Sequence, residues 1–320
     1  MKASIRKFLS LTIPLFIGLG IIYYQYTTLT TEELEKIKIS FIKADYFYIF
    51  LSLFIALFGF WSRAYRWKFA LQHLGYQTKF RNDLMTVCVS YLVNLTIPRS
   101  GEVSRAMLLK KYEDVPFDKG FGTIVAERIV DMLIFLLFVA VGFLLQFDTI
   151  YQYLVNNGVE FETLIWAGIL VFVVFVIFVL VWIYAEWKII LKLKQKLSGL
   201  IEGMQSILKM KDKWKYIFHS FFIWFSYLVM FYVTIFALPE TADISFDVVV
   251  MGFIFVTLAV GFTNGGLGAY PLAVASILSL YGISEGIGTA FGYLIWVSQT
   301  LLTIFLGLLS YLLLPILNKK

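Results

Sequence analysis

The chain has 320 residues, of which 60% are hydrophobic, 18% aromatic and only 15% charged, whereas soluble domains carry roughly 25% charge. That shortfall, a mean hydropathy of +0.82 and apolar runs near 20 residues place the chain in a bilayer and exclude an independent water-soluble catalytic domain. The formal charge of +6 comes from bases flanking the apolar runs, so it speaks for topology and anionic headgroups and against nucleic acid.

In chain order, Lys2, Arg6 and Lys7 precede an apolar run over 8–26. Tyr23-Tyr24-Gln25-Tyr26 closes it where a leader would carry small residues for cleavage, so it reads as a retained first span. After a loop over 27–43, further runs at 45–62, 122–146, 164–185, 216–237 and 287–316 are long enough to cross about 30 Å at 1.5 Å per residue. Two other apolar regions are broken. One is Leu84 to Ile97, ended by Pro98; the other runs from Phe246 to Ile283 and is interrupted between Thr263 and Pro271. Between 186 and 215, Trp187, Ile190, Leu193, Leu197, Leu200 and Ile201 recur at helical spacing against Lys188, Lys192, Lys194 and Lys196, which predicts amphipathic helices on the membrane face linking two halves.

The segments 1–7, 62–83, 99–119, 186–215 and 317–320 hold 23 of the 27 lysines and arginines. The loops 147–163, 238–246 and 283–286 hold acids and no bases. The positive-inside rule then puts the base-rich segments and both termini in the cytoplasm and the protein in the inner membrane. A 14-residue apolar run with base-rich segments on both sides reads as half of a re-entrant hairpin, and 246–283, flanked by acidic loops, dips in from the opposite face. The predicted fold is all-α and integral to the membrane: about six full transmembrane helices plus two re-entrant hairpins, 84–111 and 246–283, in an inverted-repeat arrangement. It forms a single domain over 1–320, with halves 1–185 and 216–320 joined by 186–215. The alternative makes each broken piece a full span, giving eight to ten helices.

The chemistry-bearing residues cluster at the breaks. In Asn94-Leu-Thr-Ile-Pro98-Arg99-Ser100-Gly101-Glu102-Val-Ser-Arg105, Pro98 suits a helix start, Ser100 can cap it and Gly101 allows close approach. Free amides at that start, with Arg99 and Arg105 beside them, would attract an anion. Glu102 and Arg105 stand three apart and can pair. The bland reading is a solvated basic loop. Glu127, Arg128 and Asp131 lie within the first turns of a long apolar run; charges at that depth are costly and must face protein or water, as a structural ion pair, as part of a polar path, or as both. The second break, Asn264-Gly265-Gly266-Leu267-Gly268-Ala269-Tyr270-Pro271, is uncharged, and its glycines serve either a backbone-lined site or tight packing. Trp296, Ser298 and Gln299 are amphipathic or polar candidates for a cavity wall in the last span, although interhelical packing explains them as well.

Catalytic constellations are missing. Cys88 is the lone cysteine, His73 and His219 have no clustered ligands, and there is no phosphate-binding loop or nucleophile with a base. No metal and no cofactor are implied. Glu127 and Asp131 could do acid–base work, but nothing near them in sequence supplies a nucleophile.

The pattern Asn94, Ile97-Pro98, Gly101-Glu102, Arg105, followed by Thr123, Glu127-Arg128 and Asp131, resembles the signature of the lysylphosphatidylglycerol synthase transmembrane-domain, or flippase-like, family. Gly265-Gly266-Leu267-Gly268 resembles its second signature. The resemblance implies a helical domain with re-entrant hairpins that moves a phospholipid or lipid-linked anion between leaflets, without the soluble aminoacyl-transferring domain of two-domain members. The chain departs from that pattern at Tyr270-Pro271, where members often carry Glu, and at Ile295-Trp296, where they often carry Arg. Two other readings stand beside a flippase: an accessory subunit that positions a lipid- or envelope-modifying enzyme, and, with least support, an integral-membrane transferase. The expected partners are a lipid substrate, the membrane, and a second copy or a membrane enzyme.

Overall fold

The computed structural model describes residues 2–97, 99–148, 151, 152, 162, 166, 173, 207, 209–263 and 265–319, and among these every regular element is helical. The run 164–185, most of the linker 186–215, Pro98 and Asn264 lie outside the described residues. The helices are α1 (Lys2–Thr28), α2 (Thr31–Lys43), α3 (Tyr46–His73), α4 (Phe80–Thr96), α5 (Ser100–Glu113) and α6 (Phe117–Leu145), then α7 (Lys213–Thr234), α8 (Phe246–Phe262), α9 (Ala269–Ser279) and α10 (Glu285–Leu317).

Four of these are long and apolar enough to cross a membrane: α3, α6, α7 with the 3₁₀ turn that carries it to Ala237, and α10. The run 8–26 lies within α1. The loop expected over 27–43 is instead largely helical. Thr30 accepts from the Glu33 amide and Glu33 reaches back to the Thr30 amide at 2.8 Å, a reciprocal cap that starts α2, and Lys36 pairs with Glu32 one turn on.

Asp45 caps α3 and its amide donates to Ala237, so α3 and α7 are pinned where one begins and the other ends and run antiparallel from there. Further along, Ser62 meets His219 at 2.8 Å. The expected boundary at residue 62 is wrong: α3 continues to His73, so Arg63 and Arg66 are helix residues, buried at 4% and 0% exposure.

The two broken regions are two helical hairpins. α4 and α5 form the first, slightly longer than expected at both ends; α8 and α9 form the second. At 1.5 Å per residue their arms are roughly 16–26 Å long, short of a 30 Å core. A methyl on Gly101 would stand 2.1 Å from the Ser90 carbonyl, so only glycine lets α5 start this close to α4. Ser100 does not cap α5 as expected; its hydroxyl donates to the Ile97 carbonyl, and Asn94 Oδ1 accepts from the Gly101 amide at 2.7 Å instead. At the second tip Gly265, Gly266 and Gly268 all have positive φ, a region that costs other residues about 1–2 kcal/mol.

The tips meet. A methyl on Gly265 would come 2.5 Å from Leu95 Cδ2 at the first tip, and one on Gly268 would come 2.5 Å from the Gly18 carbonyl of α1. Trp296 of α10 donates to the Gly265 carbonyl at 2.7 Å. Gly288 and Gly292, one turn apart, bring α10 against the α9 backbone at Ala275 and Pro271, the small-residue packing of membrane helices. The foot of the first hairpin is tied to the end of α10: Asn82 and Asn318 exchange side-chain hydrogen bonds, Asn82 also donates to Glu113, and Arg81 reaches the Leu317 carbonyl.

Candidate functional site: a buried arginine cluster

Where α3, α5, α6 and α7 converge, the apolar interior is interrupted by charge. Asp131 of α6 receives Arg66 through two bonds, at 2.6 and 3.2 Å, and Arg63 at 3.1 Å. Arg128, one turn before it, adds a contact of 3.2 Å, and the Trp224 indole N–H lies 3.4 Å away. Glu127 is fully buried and is held by a bidentate Arg105, at 2.8 and 3.2 Å, with Arg66 at 3.5 Å on the same carboxylate. Arg66 therefore bridges the two acids. The spacings explain the arrangement: Arg63 and Arg66 share one face of α3, and Glu127 and Asp131 share the facing side of α6.

Aromatic and hydroxyl groups close the shell. The Arg105 guanidinium stacks 3.7 Å above the Trp67 ring, and the Trp67 N–H donates to Thr123. Arg63 donates to the Tyr227 hydroxyl, which bonds Tyr91 at 3.0 Å, and Arg66 donates to Ser220. A planar, always-charged guanidinium meets these bidentate and stacked demands where lysine cannot.

Three buried guanidinium groups, Arg63, Arg66 and Arg105, face Glu127, Asp131 and the half-buried Glu102, and Arg128, whose side chain is 44% exposed, adds a fourth at the edge. Arg63 Nε, Arg105 Nε and Glu102 Oε2 are buried and find no partner among the described residues. All three residues line one cavity of about 20 Å³, together with Ser90, Tyr91, Asn94, Ile124 and Arg128. A space of that size admits about one water or one polar oxygen; the two unpaired N–H groups call for an acceptor and the Glu102 oxygen for a donor.

Among the sequence candidates, Arg105, Glu127, Arg128 and Asp131 come together here, with Asn94 and Glu102 at the edge of the same cavity. The expected Glu102–Arg105 pair does not form, because Arg105 turns to Glu127. Arg99 is exposed at the tip in a left-handed conformation, so it and Arg105 do not share a ligand position. Gly101 shapes the hairpin; Gly265, Gly266, Gly268 and Tyr270 belong to the second tip, where Tyr270 donates its amide to the Gly266 carbonyl. Sequence reading missed Arg63, Arg66, Trp67, Tyr91 and Tyr227. Arg63 and Arg66 carried a usable signal, two arginines three apart at the end of an apolar run, but charge counting assigned them to a loop. Among the described residues no group of three or more histidines, cysteines or acids could hold a metal ion.

The family described as the lysylphosphatidylglycerol synthase TM region matches residues 11–307. A UPF0104 membrane protein of Methanocaldococcus jannaschii is 33% identical over 108 residues, which cover 33% of this chain and 32% of that relative, so the match spans about a third of either protein. No solved structure matches the chain.

Proposed function

Because the chain belongs to the lysylphosphatidylglycerol synthase transmembrane-region family, we propose that it moves an anionic phospholipid, or another lipid carrying a phosphate, between the leaflets of the membrane. The observation that carries this reading is the cluster of three buried arginines, two of which, Arg63 and Arg105, keep an unpartnered Nε–H and line a small cavity. A buried N–H left without an acceptor costs about 1–3 kcal/mol, and a phosphate oxygen would relieve it. Glu127 and Asp131 hold the arginines in place and keep the apo cluster from carrying its full repulsion. In this reading the two hairpins are re-entrant, entering from opposite faces. Their short arms and touching tips support it, since broken backbone at mid-membrane depth is tolerated only against protein or a wet cavity. The base-rich ends face the cytoplasm.

The test is reconstitution into phosphatidylcholine vesicles holding fluorescent phosphatidylglycerol, with leaflet exchange followed by dithionite quenching. Wild-type protein exchanges the anionic probe, and Arg63→Gln lowers the rate at least tenfold. Equal rates with empty vesicles, for the phosphatidylglycerol probe and for a phosphatidic acid probe, would overturn the reading.

A further inference from the structure

A second set of buried polar groups runs along the last helix past the level of the hairpin tips. Along α10, Thr289, Tyr293, Trp296 and Gln299 follow one another at intervals of four, three and three, and so share one face of the helix. Trp296 marks the level of the tips, because its indole binds the Gly265 carbonyl. Tyr293, one turn nearer the start of α10, donates at 3.3 Å to Gln25 of α1. Gln25 itself lies about one turn beyond Ile21 and Ile22, which cover Gly268.

These groups are under-satisfied. Gln25 is 3% exposed and Thr289 is 1% exposed, yet Gln25 Nε2 and Thr289 Oγ1 find no partner among the described residues, and neither does the buried Gln299 Nε2. Packing alone does not explain three orphaned polar groups on α1 and one face of α10; apolar side chains of the same size would fill that space at no such cost. The face carries no fixed charge, which separates it chemically from the arginine cluster.

We propose that this face, Gln25 with Thr289, Tyr293, Trp296 and Gln299, is the second half of the translocation path: an uncharged, hydrated ladder that takes phosphate and hydroxyl oxygens of a lipid headgroup after they leave the arginines. This rests on the function proposed above. A ladder of neutral donors binds an anion weakly and releases it, where a second arginine cluster would trap it. The one break in the ladder is the Trp296–Gly265 bond, which must open for a headgroup to pass the tips.

Two measurements separate this proposal from the reading beneath it. In a Cys88→Ala background, single cysteines at Gln25, Tyr293 and Gln299 should react with a charged methanethiosulfonate reagent at least tenfold faster than cysteines at Leu294 and Ile295, which face the core. Equal reactivity on the two faces overturns the ladder, whatever the transport assay shows. In the vesicle assay, Gln25→Leu and Gln299→Leu should slow exchange of phosphatidylglycerol at least tenfold while retaining its binding to the arginine cluster, read as an unchanged gain in melting temperature with added phosphatidylglycerol. Wild-type exchange rates in both variants overturn the ladder and leave the flippase reading standing; absence of exchange in the wild type overturns that reading instead.

Discussion

At the scale of single residues, the buried ions matter through what happens when one partner is lost. Arg105 and Glu127 form a bidentate pair at almost no exposure, and removing Arg105 leaves the buried Glu127 carboxylate with only the 3.5 Å contact to Arg66. Arg105→Ala should therefore destabilise the protein by about 3–5 kcal/mol, and Arg105→Met with Glu127→Leu together should cost far less than the two single changes added. Thermal unfolding in detergent for the four members of the cycle checks both numbers. Additivity would mean that the pair contributes no coupling. Gly101 makes a different demand. The Ser90 carbonyl occupies the place of any β-carbon, so Gly101→Ala must push α5 off α4; a loss of at least 2 kcal/mol is expected from overpacking, again read from the melting temperature.

Among the elements, the first hairpin combines a tight tip with a titratable foot. Asp83 sits in the first turn of α4, outside the four long spans, and burial pushes its carboxyl up to about 7, against the opposing effect of the Thr78 hydroxyl that donates to it. The folded protein thus holds a proton on Asp83 at pH values where the unfolded chain, near the ordinary 3.8, has lost it. Stability from this group is complete below about pH 4 and declines as pH rises through 7. Melting temperature should fall between pH 5 and pH 8, by an amount worth a few kcal/mol, and Asp83→Asn should flatten that slope and raise the value at pH 8. A slope unchanged by the substitution would assign the titration elsewhere. The hairpins themselves were legible in the sequence because Pro98 and the glycines of 265–268 break apolar runs too short to cross. α2 is not: it is too polar for a span, and its signal is only local, the capping box of Thr30 and Glu33. The reach of α3 was hidden for a related reason. A charge count treats every arginine as solvated, and Arg63 and Arg66 are instead neutralised by Glu127 and Asp131 more than 60 positions away in sequence, a pairing no local pattern reveals.

For the whole molecule, the arginine cluster makes a prediction about lipid that does not depend on movement. A ligand that binds the folded state alone stabilises it by RT ln(1 + [L]/Kd), about 2.7 kcal/mol at a hundredfold excess over Kd. Phosphatidylglycerol added to purified protein in neutral detergent should raise the melting temperature by several degrees, and phosphatidylcholine, whose phosphate is screened by its own ammonium, should raise it less. The difference should shrink at high salt only partly, because buried charges are poorly screened. It should vanish in Arg63→Gln, a residue that lines the cavity, and persist in Arg99→Gln, a residue exposed at the tip. Equal loss in both variants would mean that lipid responds to surface charge in general. Loss confined to Arg63→Gln would tie the anion to the buried arginines, where a headgroup that has left the membrane surface would find unpartnered donors.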